Sequence, residues 1–292
     1  MVYYYIIETI FMAVKKGRPK KYYQFVYEGK KVKACRVSAV LSYCNAMTDS
    51  IGYQNWVIRE GGEAKAKKRT MAMANRGSRV HKSLELFYEN PEKYIEYASA
   101  LCDDDKKYLN SYRDLLPNYK RLHSELQVNY FNNGQAVAGT LDSCGWLNPH
   151  NIYTDKAFTN KLHIENTFGI ADYKTKEKQP KEVLYVLKHC LQLAAYKLAL
   201  EQTKGIVADN IYIFSASPRQ LNIYYAGKDK LEFYCNEFLK CLDAYLNKTK
   251  FDWKALEARS GASWSSDWNR MVYAKDHKLP QRIYIKPVIT EF

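Results

Sequence analysis

Apolar positions along the chain change period once, and the change divides it into two parts. From residue 36 to 122 they recur at helical spacing. Val37, Val40, Leu41 and Cys44 mark a helical pair over 36–58, with Ser38 as a candidate cap. A second amphipathic stretch starts near Glu63, carries a lysine-rich face and runs to Phe87. Asn90-Pro91 ends it, because the residue before a proline is pushed out of the helical region. Residues 92–122 are predicted to continue helical, with Leu101, Tyr108, Leu109 and Tyr112 as core contacts.

From residue 124 the period is two. Residues 124–131 alternate as a strand, Asn132-Asn133-Gly134 forms a hairpin turn, and 135–147 is the returning strand. A polar insertion over 148–160 precedes a third strand, 161–174. Val183, Leu184, Leu187, Leu191, Ala194, Ala195 and Leu198 mark a helix over 182–200. Strands at 209–215 and 220–226 and a helix at 229–247 follow. This order predicts an α/β domain with a central mixed β-sheet flanked by helices and an N-terminal helical region. Residues 1–34 read as a basic extension, 35–250 as the domain, and 251–292 as an extension packing on it. That last segment holds Trp253, Trp264, Trp268 and Tyr273, then an alternating strand at 281–289. Its aromatics either cap the core, as expected for at least two of the tryptophans, or line a channel for single-stranded DNA.

Composition narrows the class. Of 292 residues, 47% are apolar and 26% charged, which supports a sizeable core and argues against global disorder. Lys and Arg exceed Asp and Glu to give a formal net charge of +14, which points to a polyanionic partner. Nucleic acid comes ahead of a membrane surface, since no basic amphipathic anchor stands out. The 26 tyrosines are better explained by AT-rich coding than by base stacking. Seven scattered cysteines, none in a C-x-x-C pair, argue against a disulfide framework and for a reduced, intracellular compartment. The first thirteen residues are apolar but contain Glu8, lack a leading basic region, and are too short to span a bilayer. Met12 is an alternative start; otherwise residues 1–11 are candidates for an edge strand. The run 14–21, centred on Gly17-Arg18-Pro19, resembles an AT-hook, whose arginine enters the narrow minor groove. It is a single copy without the flanking second arginine, and a generic basic tail is the simpler reading.

The candidate chemistry centres on Gly169-Ile170-Ala171-Asp172-Tyr173-Lys174-Thr175. On a strand, Asp172 and Lys174 project to one face and Tyr173 to the other. Taken alone this is a surface ion pair. Asp142, near the end of the neighbouring strand, offers a second carboxylate that would converge with Asp172 on one hard divalent cation, Mg²⁺ or Mn²⁺. His81 and Glu85 share a helix face at i, i+4, and an imidazole ligand shifts the preference toward Mn²⁺. Gln192 and Tyr196 stand at the same spacing on the helix after the third strand. The carbonyl of Tyr173 is one more candidate ligand, and Glu85 and Glu125 are outer candidates. His123, His150, His163, His189 and His277 have no matching partner.

The ordered set His81, Gly139-x-x-Asp142, Asp172-x-Lys174 and Gln192-x-x-x-Tyr196 resembles the PD-(D/E)XK nuclease superfamily, and within it the RecB-type branch. The texture is most similar to the mitochondrial genome maintenance exonuclease and related phage exonucleases. It includes R-G-S-x-x-H-x-x-x-E from Arg76 to Glu85, A-G-T-L-D ending at Asp142, I-A-D-Y-K-T-x-E-K from Ile170, and L-Q-L-A-A-Y ending at Tyr196. Arg36-Val37-Ser38-Ala39-Val40-Leu41-Ser42 looks like the segment that opens that domain, and the resemblance spans roughly residues 35–245.

The resemblance implies a restriction-endonuclease-like core. It implies a metal-dependent DNA exonuclease acting on single-stranded or flap DNA in replication, repair or recombination, in a bacterial or phage-infected cytoplasm. Asp142, Asp172 and His81 would hold the metal, and Lys174 would orient the attacking water. Gln192 and Tyr196 would support the site and touch the DNA backbone, with Arg76 and Arg18 as further DNA contacts. A structure-selective or restriction-type endonuclease, or a non-catalytic DNA-binding protein on the same scaffold, are the alternatives. Some RecB-type nucleases bind an iron–sulfur cluster through one upstream and three downstream cysteines. Here Cys235 and Cys241 lie six apart on a predicted helix with no third cysteine after them, which argues against a cluster.

Overall fold

Two hairpins build one side of the sheet, and each turns on a pair of residues at positive φ. Glu28 and Gly29 (φ 48° and 74°) join β1 (Tyr22–Tyr27) to β2 (Lys30–Arg36). Asn133 and Gly134 (φ 48° and 80°) join β3 (Tyr119–Asn132) to β4 (Gln135–Leu147). Two consecutive positive φ values twist a two-residue turn in the sense that strands require. The computed structural model describes residues 22–44, 51–113, 115–148, 168–177, 183–260, 262–265, 270–273 and 281–285. The basic run 14–21 with Arg18, the apolar start, and His150, His163 and His277 lie outside them.

Between the hairpins come α1 (Val37–Tyr43), α2 (Ile51–Arg59), α3 (Glu63–Glu89), α4 (Pro91–Ser99) and α5 (Asp103–Asn110). After β4 come β5 (Phe168–Thr175), α6 (Val183–Lys204), β6 (Asn210–Ser217), β7 (Gln220–Ala226) and α7 (Lys228–Asn247). The chain continues through α8 (Trp253–Ser260), the paired β8 (Ala262–Ser265) and β9 (Arg270–Tyr273), and β10 (Gln281–Ile285).

The main sheet is mixed and open, in the order β1-β2-β4-β5-β6-β7-β10, with β3 also paired to β4. Helices flank both faces. On one, Val40 and Leu41 of α1, Leu187 and Leu191 of α6, Phe238 of α7 and Leu256 of α8 pack on Ile170, Ile211 and Ile213. On the other, Val80 and Leu84 of α3 and Tyr108 of α5 pack on Tyr173, Tyr212 and Phe214. The period-two alternation of β5 and β6 divides their residues between these faces. Among the described residues, no helix is long and apolar enough to cross a membrane.

Three sequence expectations need correction. Residues 22–34, read as part of a basic extension, belong to the edge hairpin β1–β2, and Phe25 and Ala34 bury against Ala136 and Ala138. Lys30, Lys31 and Lys33 dominate its composition and mask its alternation. Residues 119–122 are strand, not helix. A 3-10 turn at Leu116–Asn118, with Pro117 inside it, ends the helical region and starts β3 early. Ser38 lies inside α1, whose N-cap is Arg36. At the C-terminal end, Trp253 is buried and its indole N–H donates to the Cys44 carbonyl, joining α8 to α1. β10 pairs with β7 at the far edge of the sheet. The side chains of Trp264, Trp268 and Tyr273 lie outside the described set.

Arg76 belongs to this framework. It donates to Asp104 (2.5 Å) and the Tyr108 hydroxyl (2.9 Å), and stacks over the Tyr108 ring, so it holds α5 against α3. Arg79 joins it through the buried Asp105 (2.5 Å). Burial disfavours the Asp105 carboxylate, but Arg79, a hydrogen bond from Cys102 and the charge of Arg76 together outweigh it and lower its pKa from 3.8. A depressed folded-state pKa contributes stability above the unfolded value that is lost as pH falls through the folded one. Asp105→Asn is therefore expected to cost about 1.5–3 kcal/mol at neutral pH in urea unfolding. The difference from wild type should shrink only below pH 3.8.

Candidate active site

β4 has two different neighbours along one edge. Its first half pairs in parallel with β2 at Val137 and Ala138, and its second half pairs antiparallel with β5 from Ser143 to Trp146. Residues 139–142 lie in the fork between β2 and β5, where none of the described strands pairs with that edge. Asp142 therefore stands mid-strand, at the mouth of the fork. Its Oδ2 accepts the Tyr173 backbone N–H at 3.0 Å, so a side chain continues the contact where the ladder stops. Gly139 opens the same fork. A Cβ there would lie 2.7 Å from Cε1 of Tyr196, so only glycine lets that ring pack on β4.

The opposite edge of β4 is interrupted at the same place. Ser124 pairs with Ser143 and Leu126 with Leu141, but Glu125 and Asp142 between them are not in the ladder. Glu125 has φ 45°, a left-handed conformation that costs a non-glycine residue energy. His81 reaches the fork from α3. Its Nε2 is 2.6 Å from the Tyr173 carbonyl and its Nδ1 is 3.6 Å from Asp142 Oδ2. With Nε2–H donated to the carbonyl, the Nδ1 lone pair faces a carboxylate, an arrangement that a cation between them satisfies. One ligand atom each from His81, Glu125 and Asp142 lies within 4.8 Å of the others. Burial raises the Glu125 pKa, with His81 opposing and Glu85 adding to the rise.

Asp172 and Lys174 project together on the α6 face, as strand geometry predicts. Lys174 Nζ donates to Asp172 Oδ1 at 2.6 Å and lies 2.5 Å from Oδ2. Burial opposes the ammonium, but Asp172 and Asp142 outweigh it and raise its pKa. Burial likewise pushes the Asp172 carboxyl up, against the pull of Lys174. Tyr173 points to the opposite face, its ring edge-on to His81 and Tyr112.

No family model matches the chain, and no curated protein matches it.

An imidazole nitrogen and two carboxylates form a hard, oxygen-rich donor set with one nitrogen, which suits Mg²⁺ or Mn²⁺, while the Tyr173 carbonyl, a candidate ligand in the sequence, is taken up by His81 Nε2–H. Asp172 is outside that cluster, turned to Lys174. Gln192 donates to the Tyr196 hydroxyl at 3.4 Å, and Tyr196 borders the fork at Gly139 from α6. Glu85 pairs with Lys82 at 2.9 Å instead of joining the cluster. Cys235 and Cys241 are buried in the core, with Cys235 Sγ directed at the Ala194 carbonyl.

Sequence reasoning passed over His189, Lys176 and Lys188. His189 Nδ1 lies 3.7 Å from Asp172 Oδ2, and burial with Lys174 nearby pushes its pKa down to about 3. It is three residues before Gln192 on the same face of α6, a spacing visible in the sequence. Lys176 continues the Asp172, Lys174 alternation. Burial, Lys174 and Lys188 push its pKa down to about 8.

Proposed function

We propose that this chain is a metal-dependent deoxyribonuclease with a restriction-endonuclease-like core, an exonuclease acting on single-stranded or flap DNA. One observation carries the reading: Asp142, His81 and the Tyr173 carbonyl meet at the fork between β2 and β5, beside a lysine held by Asp172. A net charge of +14 supports a polyanionic substrate. A reduced intracellular compartment suits both that substrate and the unpaired cysteines.

His81, through Nδ1, and Asp142 would hold Mg²⁺ or Mn²⁺, and the Tyr173 carbonyl would orient the imidazole by accepting its Nε2–H. When bound, the ion supplies an activated water and neutralises charge on the non-bridging phosphate oxygens. Lys174 stays protonated and donates toward the attacking water or a phosphate oxygen, where charge grows as the bond breaks. Asp172 fixes the direction of that ammonium. Lys176 and Lys188 add positive charge along the approach of the backbone. Gln192 and Tyr196 keep the α6 wall of the fork in place.

The test is digestion of single-stranded, duplex and flap DNA labelled at either end, beside a covalently closed single-stranded circle, with Mg²⁺ or Mn²⁺. Linear single strands and flaps should shorten from an end, the circle should survive, and chelator should stop the reaction. Undiminished cleavage in excess chelator sinks the proposal. A cut circle moves it to an endonuclease, and binding without turnover under both ions to a non-catalytic binder.

A further inference from the structure

β3 adopts at Glu125 a conformation that strand geometry does not ask for. Ser124 and Leu126 keep their register with β4, yet Glu125 between them sits at φ 45°. Glycine is the usual residue at such an angle. Here the turn-out aims a carboxylate at the fork, where it meets His81 and Asp142 within 4.8 Å. The carboxylate that the D-x-K motif would assign to the metal is placed differently. Asp172 has both oxygens on Lys174, at 2.6 and 2.5 Å, with His189 3.7 Å away.

We propose, resting on the nuclease reading of this site, that Glu125 is the third side-chain ligand of the divalent cation and that Asp172 is a positioning residue for Lys174. Charge balance favours this division. Two carboxylates, Glu125 and Asp142, compensate a dication, and the third compensates the ammonium. Moving Asp172 to the metal would leave a largely buried Lys174 ammonium beside a dication without its counter-charge, a costly arrangement in a poorly solvated site. The backbone agrees: Glu125 needs its unusual φ to leave the ladder, whereas Asp172 keeps ordinary strand pairing with Ile213 of β6.

The experiment measures Mn²⁺ binding to the full chain without DNA, by the loss of the free-ion electron paramagnetic resonance signal and by thermal melting. Glu125→Gln should weaken Mn²⁺ binding at least about tenfold, and Asp172→Asn should hold it within about threefold of wild type. Mn²⁺ should raise the wild-type Tm, since a ligand of the folded state stabilises it, and Glu125→Gln should abolish that rise. Glu125→Gly guards against misfolding. It relieves the positive φ, so its metal-free Tm should equal or exceed wild type while its response to Mn²⁺ is lost. Asp172→Asn with Lys174→Met removes both members of the buried pair and should also retain Mn²⁺ affinity. Wild-type chain that binds no Mn²⁺ overturns the proposal. So does Asp172→Asn losing affinity while Glu125→Gln keeps it. Because binding is read without DNA, Glu125-dependent Mn²⁺ binding by a chain that leaves DNA intact would uphold this assignment and sink the nuclease reading.

Discussion

Lys174→Ala is expected to slow phosphodiester cleavage by at least about 10²–10³-fold while DNA binding and folding survive. The ammonium is the one fixed positive charge that Asp172 holds beside the fork, at 2.5 Å. Its removal takes a donor from the place where charge develops on the phosphate. The fold should tolerate the loss, because burial already pushes the Asp172 carboxyl toward its protonated form. Without Lys174 that carboxyl takes up a proton more readily instead of remaining a buried unpaired charge. Lys174→Arg should not restore the rate, since a planar guanidinium cannot occupy the site of a compact ammonium. Single-turnover cleavage of end-labelled single-stranded DNA in Mg²⁺, beside a melting curve, checks this. Wild-type rates in the alanine variant would remove Lys174 from the chemistry.

Gly139→Ala should destabilise the protein by about 1–3 kcal/mol, the usual cost of overpacking. In a chain of this size that lowers Tm by about 2–4 °C per kcal/mol. The added methyl would lie 2.7 Å from Cε1 and 3.1 Å from the hydroxyl of Tyr196. The ring cannot swing away easily, because Tyr196 is buried in the core between α6 and the sheet. Tyr196→Leu shortens the side chain, so in the Gly139→Ala background it should recover stability beyond the sum of the single changes. A double-mutant cycle by urea unfolding reads the coupling. No coupling would mean that Gly139 serves a purpose other than admitting this ring. The cycle also explains why the glycine of G-x-x-D and the tyrosine of Q-x-x-x-Y occur together here: each is shaped to the other's position.

Much of the fold was legible because it is local. The i, i+2 rule placed Asp172 and Lys174 on one face, and the Asn133-Gly134 turn set the β3–β4 hairpin. Helical periodicity found α3, α6 and α7. The misses are those where local signals were weak or misleading. Lysines hid the β1–β2 hairpin, and the helical pattern before Pro117 ran on past the point where the chain turns. Arg76, a candidate DNA contact in the sequence, holds α5 instead, because Asp104, Asp105 and Tyr108 become its neighbours only when α5 folds back on α3.

By itself the sequence determined the elements, the turns between them and the residue types available for chemistry, since each follows from neighbours a few positions apart. Only the tertiary structure decided which of those residues meet. The fork between β2 and β5 and the broken ladder at Glu125 and Asp142 depend on strand register, and the meeting of His81 with Asp142 and the Tyr173 carbonyl depends on α3 crossing the sheet. Register joins residues far apart in the chain. Its energy lies in packing and hydrogen bonds that no single segment contains.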